Sequence, residues 1–192
     1  MEPVWSFFPL YCGEITVPKG EVTPHSDDEL QTRSPFMAWL LRGQGQTILV
    51  DCGVNDRFLD HGLIRGLYPA RGGRQLLLDA LAKHSVRPQD ITMVIFTHLH
   101  YDHTGNLDLF PQARIFLQKD EWFNINFPTF REQQELFFDP LTPQQIRDSG
   151  KLVLIDGDLE LLPGLRVIKV PGHSRGSQAI VAETGGGRRI IT

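Results

Sequence analysis

Residues 97–106, Thr-His-Leu-His-Tyr-Asp-His-Thr-Gly-Asn, constrain the fold of this chain more than any other stretch. They place three histidines and an aspartate within six positions: His98, His100, Asp102 and His103. Imidazole and carboxylate groups are ligands for zinc and its first-row neighbours. The same groups pack poorly against one another in an apolar core. The stretch therefore predicts a site that holds more than one metal ion.

The residues around this cluster predict how the ligands are positioned. Residues 93–96, Met-Val-Ile-Phe, form a continuous apolar run, which is typical of a buried strand. Gly105 and Asn106 indicate a turn directly after the ligands. A rigid strand that ends in a loop of ligands is the arrangement that an open metal site needs. The alternative, surface histidines in a polar loop, does not explain why four ligand-type residues follow a buried strand.

His173 is a further candidate ligand. Residues 165–170 alternate apolar and polar side chains, which predicts a half-buried strand, and Pro171-Gly172 ends it just before His173. A lone histidine after Pro-Gly is more often a turn residue than a ligand. Because the cluster at 98–103 is also present, we expect His173 to be a ligand.

The pattern H-x-H-x-D-H at 98–103, followed about 70 residues later by Pro171-Gly172-His173, resembles the metallo-β-lactamase superfamily. Within it, residues 12–18, 97–106 and 171–178 most resemble the N-acyl-homoserine lactonase-like branch. Asp51-Cys52-Gly53 also matches the D-x-G turn of the superfamily. The resemblance covers nearly the whole chain. It implies an α/β fold, the metallo-β-lactamase-like αβ/βα sandwich. Residues 1–192 would then be a single domain that holds the N-terminal two-thirds or so, with its C-terminal part missing.

The resemblance also implies the roles of the site residues. His98, His100 and His173 would bind the first of two divalent ions, with zinc the expected metal, and Asp102 and His103 the second. Asp51 would accept a hydrogen bond from a ligand histidine and fix its tautomer; an ordinary turn aspartate is the alternative.

The family also uses a bridging aspartate and a final histidine. The aspartate is expected after a strand such as residues 188–192. A complementary C-terminal segment that carries both ligands is therefore an expected partner.

The reaction implied is the opening of a lactone, such as an N-acyl-homoserine lactone, by a metal-dependent hydrolase. A metal lowers the pKa of bound water from about 16 to about 7, so that hydroxide can attack the carbonyl at neutral pH. Asp102 would serve as both ligand and proton shuttle to the leaving alkoxide. Two alternatives stay open: a glyoxalase II-like thioester hydrolase, which shares these ligands, and a non-catalytic metal-binding module.

Residues 119–150 are rich in aromatic residues and proline, and we expect a helical insertion near the metals. Several aromatics beside a metal form a plausible acyl-chain site. The candidate substrate residues are Trp122, Phe123, Phe127 and Phe130. The alternative is a small satellite core that holds only the insertion itself.

Composition excludes several partners. The chain has 19 basic and 23 acidic residues and contains no Lys/Arg-rich run. Nothing in the sequence therefore indicates a nucleic-acid binding surface. Cys12 and Cys52 are expected to be small buried residues in a reducing compartment. We find no signal peptide and no apolar run of about 20 residues. The prediction is a cytoplasmic protein with a small lactone or ester substrate and no membrane partner; a homodimer is left open.

The remaining pattern predicts alternating elements. Strands are expected over residues 5–11, 37–41, 47–50 and 114–117, with five more between 151 and 192. An amphipathic helix is expected over 75–84, and a long loop over 53–73. His25, His61 and His84 lack a ligand-like context.

Overall fold

The computed structural model describes residues 4–23, 25, 29–64, 66–129 and 137–192. Within these ranges the chain forms two sheets, and the first has the strand order β4-β5-β6-β1-β2-β3-β7-β8-β9. Its strands are β1 (Ser6–Pro18), β2 (Gln31–Gly43), β3 (Gln46–Val50), β4 (Leu59–Asp60), β5 (Leu63–Ile64), β6 (Tyr68–Arg71), β7 (Met93–Ile95), β8 (Arg114–Gln118) and β9 (Leu152–Ile155).

The second sheet is antiparallel, in the order β10-β11-β12-β13. Its strands are β10 (Leu159–Leu162), β11 (Leu165–Lys169), β12 (Gln178–Thr184) and β13 (Gly187–Ile191). The α-helices described are α1 (Lys19–Val22), α2 (Arg74–Ala82), α3 (Tyr101–Thr104), α4 (Lys119–Asn126) and α5 (Thr142–Ser149). None of the helices in the described ranges has the length and apolar character that a membrane crossing needs.

The first sheet separates two apolar cores because its central strands are apolar on both faces. On one face, Leu49, Val94 and Ile115 pack with apolar side chains of α2, α4 and α5. On the other face, Ile95 packs against the second sheet, where its neighbours include Val167 and Ile180. The result is a sheet-on-sheet sandwich with helices outside the larger sheet.

Strands β3, β7, β8 and β9 are parallel, so their carboxyl ends meet at one edge of the sheet. Asp51 follows β3, the cluster at 98–103 follows β7, and α4 follows β8. Ligand sites in sheets of this kind form at that edge. The fold thus brings three separate segments to one place.

Two element predictions were wrong. Residues 53–73 are not one long loop, because they contain a 3₁₀ turn at Asp56–Phe58 and the short strands β4, β5 and β6. Strand β6 pairs with β1, where Ile15 pairs with Ala70, and β5 pairs in turn with β6 and β4; such partners are invisible in a local pattern. For the same reason β1 extends to Pro18 and β2 begins at Gln31, beyond the predicted limits.

The other predicted elements agree in position with β3, α2, β7, β8 and the five strands β9–β13. Helices α4 and α5 lie within residues 119–150, and the interpretation of this segment as an insertion stays a prediction. Cys12 and Cys52 are buried and free.

Candidate metal centre

Three histidines converge at the edge where the parallel strands end. His98 and His100 follow β7, and His173 lies in the connection between β11 and β12. One ring nitrogen from each lies within 4.8 Å of the others. His98 and His100 are buried, whereas His173 is exposed to solvent. The structure therefore brings together the histidines predicted for the first ion, and their roles as ligands stay a prediction.

The chemical state of this cluster fits a divalent metal. His98 Nε2 is buried and has no hydrogen-bond partner among the residues that the structure describes. An unpaired buried polar atom is costly, and a metal would satisfy it. Burial lowers the pKa of His98, and repulsion from His103, His100 and His173 lowers it further. A neutral imidazole is the form that binds metal.

Asp102 and His103 lie beside this cluster. Asp102 Oδ2 is 3.6 Å from His103 Nε2, and the rings of His98 and His103 are 3.9 Å apart between centroids. Burial lowers the pKa of His103, but the carboxylates of Asp102 and Asp51 outweigh it and raise this pKa to about 9. The two side chains predicted for a second ion are thus adjacent to the first group.

Asp51 connects His103 to the ligand strand. Its Oδ2 lies 2.8 Å from His103 Nδ1. Its two carboxylate oxygens also accept hydrogen bonds from Thr97, at 2.8 Å from the backbone N–H and 2.7 Å from the hydroxyl. Asp51 has φ +59°, a left-handed conformation that is uncommon outside glycine. Backbone strain of this kind gathers at functional sites.

Glu121, which no sequence pattern singles out, is 1% exposed in the first turn of α4. Its carboxylate accepts hydrogen bonds from Leu99, Ser174 and Gly176. Glu121 is 18 residues beyond the cluster at 98–103 and belongs to no ligand pattern. The one available signal was its place just after β8, the strand next to β7.

A cavity of about 370 Å³ opens at the histidines. It is lined by Thr97, His98, His103, Val170, His173, Ser177, Gln178 and Thr192. His100 instead stacks on Phe137, with ring centroids 5.1 Å apart, and lies 5.3 Å from Phe138. These two rings cover one side of the centre.

The predicted substrate aromatics line a different cavity, of about 660 Å³. Trp122, Phe123 and Phe127 form part of its wall, and Phe130 lies outside the described residues. Arg175, two residues beyond His173, also lines this cavity, with its guanidinium 4.9 Å from the Phe123 ring centroid. The larger cavity therefore adjoins the connection that carries His173.

The other histidines lie apart from the centre. His84 packs against Phe8, with ring centroids 4.7 Å apart. His61 is exposed next to Asp60, and His25 is exposed near α1.

A family model described as "Metallo-beta-lactamase superfamily" matches residues 35–192. The N-acyl homoserine lactonase AiiA of Bacillus thuringiensis subsp. kurstaki is 27% identical over 157 residues, which cover 78% of this chain and 59% of that protein. The chain thus spans about 59% of the length of the curated lactonases it matches. Metallo-beta-lactamase domain-containing protein 1 of Rattus norvegicus is 53% identical over 47 residues, 24% of this chain and 19% of that protein.

Solved structures show the same fold. An N-acyl homoserine lactone hydrolase with the product N-hexanoyl-L-homoserine bound at its catalytic metal center aligns with a TM-score of 0.83 and 22% identity, covering 100% of this chain and 76% of that one. AidC, a dizinc quorum-quenching lactonase, aligns with a TM-score of 0.74 and 19% identity, covering 99% of this chain and 71% of that one. At these identities the likeness concerns the fold.

Proposed function

The chain belongs to the metallo-β-lactamase superfamily, as its motifs predicted, and from that premise we propose that it is a metal-dependent hydrolase that opens an N-acyl-homoserine-type lactone. The observation that carries the proposal is the group of three imidazoles beside the Asp102–His103 pair. The lactonases among the relatives support the substrate class.

The ligand set supports two divalent ions, with zinc as the proposed metal. His98, His100 and His173 would hold one ion, and Asp102 with His103 would hold the other. When bound, a divalent metal polarises a carbonyl oxygen and lowers the pKa of water from 15.7 to about 7. Nitrogen and oxygen donors of this kind suit zinc.

The side chains of the chain itself orient groups and move protons. Asp51, held by Thr97, keeps the His103 ring in one orientation through its contact with Nδ1. Asp102, whose side chain is 28% exposed, can take a proton from the attacking water and deliver it to the leaving ring oxygen. These two carboxylates therefore have separate tasks, one of positioning and one of proton transfer.

We assign the acyl chain to the larger cavity. Its wall includes Trp122, Phe123 and Phe127, and Arg175 connects it to the region of His173. An apolar wall with a few polar groups is typical of small-molecule sites. This assignment treats residues 119–150 as an insertion within a single domain.

Further parts of the proposal concern partners and compartment. The free thiols of Cys12 and Cys52 support a reducing compartment such as the cytoplasm. A partner segment bound to this chain stays a prediction, which mass spectrometry of the intact sample would check. A homodimer is likewise a prediction.

Steady-state kinetics of the metal-loaded protein test the proposed reaction. We expect a higher kcat/KM for N-hexanoyl-homoserine lactone than for a hexanoyl thioester. Asp102→Asn should lower lactone turnover by about 10²–10⁴-fold, the range for loss of a general acid–base group. A preference for the thioester would favour the glyoxalase II-like alternative. Tight metal binding without turnover of either substrate would favour the non-catalytic module.

A further inference from the structure

Two segments carry the three clustered histidines, and we infer that Glu121 is a positioning residue that holds these segments together. The first ligand loop comprises residues 98–103 after β7, and the second comprises residues 171–177 between β11 and β12. Helix α4 places Glu121 against both loops. This inference rests on the metal-binding part of the proposed function.

The contacts of Glu121 reach the immediate neighbours of all three histidines. Oε1 accepts a hydrogen bond from the backbone N–H of Leu99, at 2.9 Å, and Leu99 lies between His98 and His100. Oε2 accepts hydrogen bonds from the hydroxyl of Ser174, at 2.7 Å, and from the backbone N–H of Gly176, at 2.8 Å. Ser174 directly follows His173. One carboxylate thus joins both loops.

The burial of Glu121 indicates a specific role. The residue is 1% exposed, and an ionised carboxylate is expensive to bury unless hydrogen bonds satisfy it. Three donors from the two ligand loops supply such bonds. Loss of the Oε2 acceptor would leave buried donors without a partner. An unpaired buried donor costs more free energy than the loss of an exposed hydrogen bond.

Gly176 provides a second and independent observation. A β-carbon added at this position would overlap the backbone nitrogen and α-carbon of Glu121. The second ligand loop and the first turn of α4 are therefore in direct backbone contact. Glycine at 176 is what allows the carboxylate to reach the loop.

The loops need such a connection because they come from different sheets. β7 belongs to the first sheet and β11 to the second. A backbone hydrogen bond from Gln178 to Thr97, at 2.9 Å, joins the loops at their bases. Glu121 joins them next to the histidines, where small displacements change the distances between ring nitrogens. Outer partners of this kind are worth about 10–100-fold in metal affinity.

Titration of the metal-free protein with Co²⁺ tests the inference without relying on turnover. Glu121→Gln keeps the shape of the side chain but replaces one acceptor oxygen with an amide NH₂. We expect Co²⁺ affinity to fall by about 10–100-fold and the visible spectrum of bound Co²⁺ to change. The matched control is Glu160→Gln. Glu160 is an exposed residue of β10, away from the centre, and its carboxylate accepts a hydrogen bond from the backbone N–H of Gly164. The affinity and spectrum of this variant should equal those of the wild type.

The outcomes separate this inference from the proposed reaction. Unchanged Co²⁺ affinity and spectrum in Glu121→Gln, with normal binding by the wild type, would overturn it. Ser174→Ala keeps the Glu121 carboxylate and removes one of its donors, so this variant replaces Glu121→Gln if the latter fails to fold. We expect Ser174→Ala to bind Co²⁺ more weakly while its melting temperature stays near that of the wild type. Unchanged Co²⁺ affinity in this variant would again overturn the inference. Normal Co²⁺ binding without lactone turnover would reject the lactonase proposal and leave the role of Glu121 standing.

Discussion

At the scale of single residues, the centre combines two kinds of imidazole. Burial and the surrounding histidines lower the pKa of His98. His103 is also desolvated, yet the nearby carboxylates of Asp102 and Asp51 raise its pKa to about 9. At neutral pH the metal-free protein therefore carries a neutral His98 next to a charged His103.

These shifts predict how the stability of the metal-free protein depends on pH. The pKa of His103 is above its ordinary value, so its stabilisation is complete below about pH 6.5 and is lost as pH rises towards 9. We expect the free energy of unfolding to fall by about 1.5 kcal/mol between pH 6.5 and 8. The lowered pKa of His98 acts below pH 6.5, where stability is lost as the unfolded chain takes up a proton.

Urea unfolding at pH 6.5 and 8, after chelation of metal, measures this effect. In Asp51→Asn, His103 loses one of its carboxylate partners, so the difference between the two pH values should shrink. A wild-type protein that is equally stable at both pH values would contradict the assignment of a charged His103.

The ligand assignment predicts the effect of His100→Ala. This change removes one of three clustered ring nitrogens, so the metal content of the purified protein should fall sharply. His61→Ala is the matched control, because His61 is exposed next to Asp60. Elemental analysis decides: equal metal stoichiometry in His100→Ala and the wild type would refute the assignment.

At the scale of elements, the ends of three neighbouring strands build the site. Asp51 after β3, the first ligand loop after β7 and Glu121 after β8 meet because these strands are parallel and adjacent. Helices α4 and α5 then form part of the wall of the larger cavity, through residues such as Phe123 and Arg147. The larger sheet thus supplies Asp51, the first ligand loop and the helices beside the proposed acyl-chain cavity, and the smaller sheet adds His173.

The proposed acyl site predicts a dependence on chain length in Phe127→Ala. If Phe127 packs against the tail, longer substrates should show a larger fall in kcat/KM than short ones, by about 0.8 kcal/mol for each methylene group that the ring no longer covers. Leu141→Ala is the control, because Leu141 is an exposed apolar residue of the same segment that does not line this cavity. Kinetics with a series of acyl lengths measure the effect. A uniform fall across the series would indicate a role in stability instead.

At the scale of the whole molecule, the candidate metal centre combines residues from both sheets. Its first ligand loop continues from β7 of the larger sheet, and His173 follows β11 of the smaller one. The second apolar core, with Ile95 against Val167, holds the same sheets together below the site. A bound ion would therefore link two layers that are otherwise joined by packing.

This arrangement predicts that metal removal destabilises the fold. A ligand that binds only the folded state stabilises it by about 2.7 kcal/mol at 100 times its dissociation constant. Chelation should lower the melting temperature of the wild type accordingly, as differential scanning calorimetry would show. In His173→Ala, which loses one ligand of the proposed first ion, added metal should raise the melting temperature by less than in the wild type. A wild-type melting temperature that is the same with and without metal would argue against a link between the sheets.

The sequence by itself determined the features that depend on local order. The apolar run at 93–96 indicated the strand that precedes the ligands, and the spacing of His98, His100, Asp102 and His103 indicated the site. The superfamily followed from these residues and Pro171-Gly172-His173, and the matching family model confirms it. Such features are readable because strand burial and ligand chemistry leave their mark on consecutive residues.

Only the tertiary structure decided which distant residues complete the site. Glu121 reaches both ligand loops because β8 lies next to β7, and β6 exists because β1 provides its hydrogen-bond partners. Trp122, Phe123 and Phe127 line a cavity other than the one at the histidines. The physical reason is the same in each case: a hydrogen bond or a cavity wall depends on strand order and register, and these bring together residues that the chain keeps far apart.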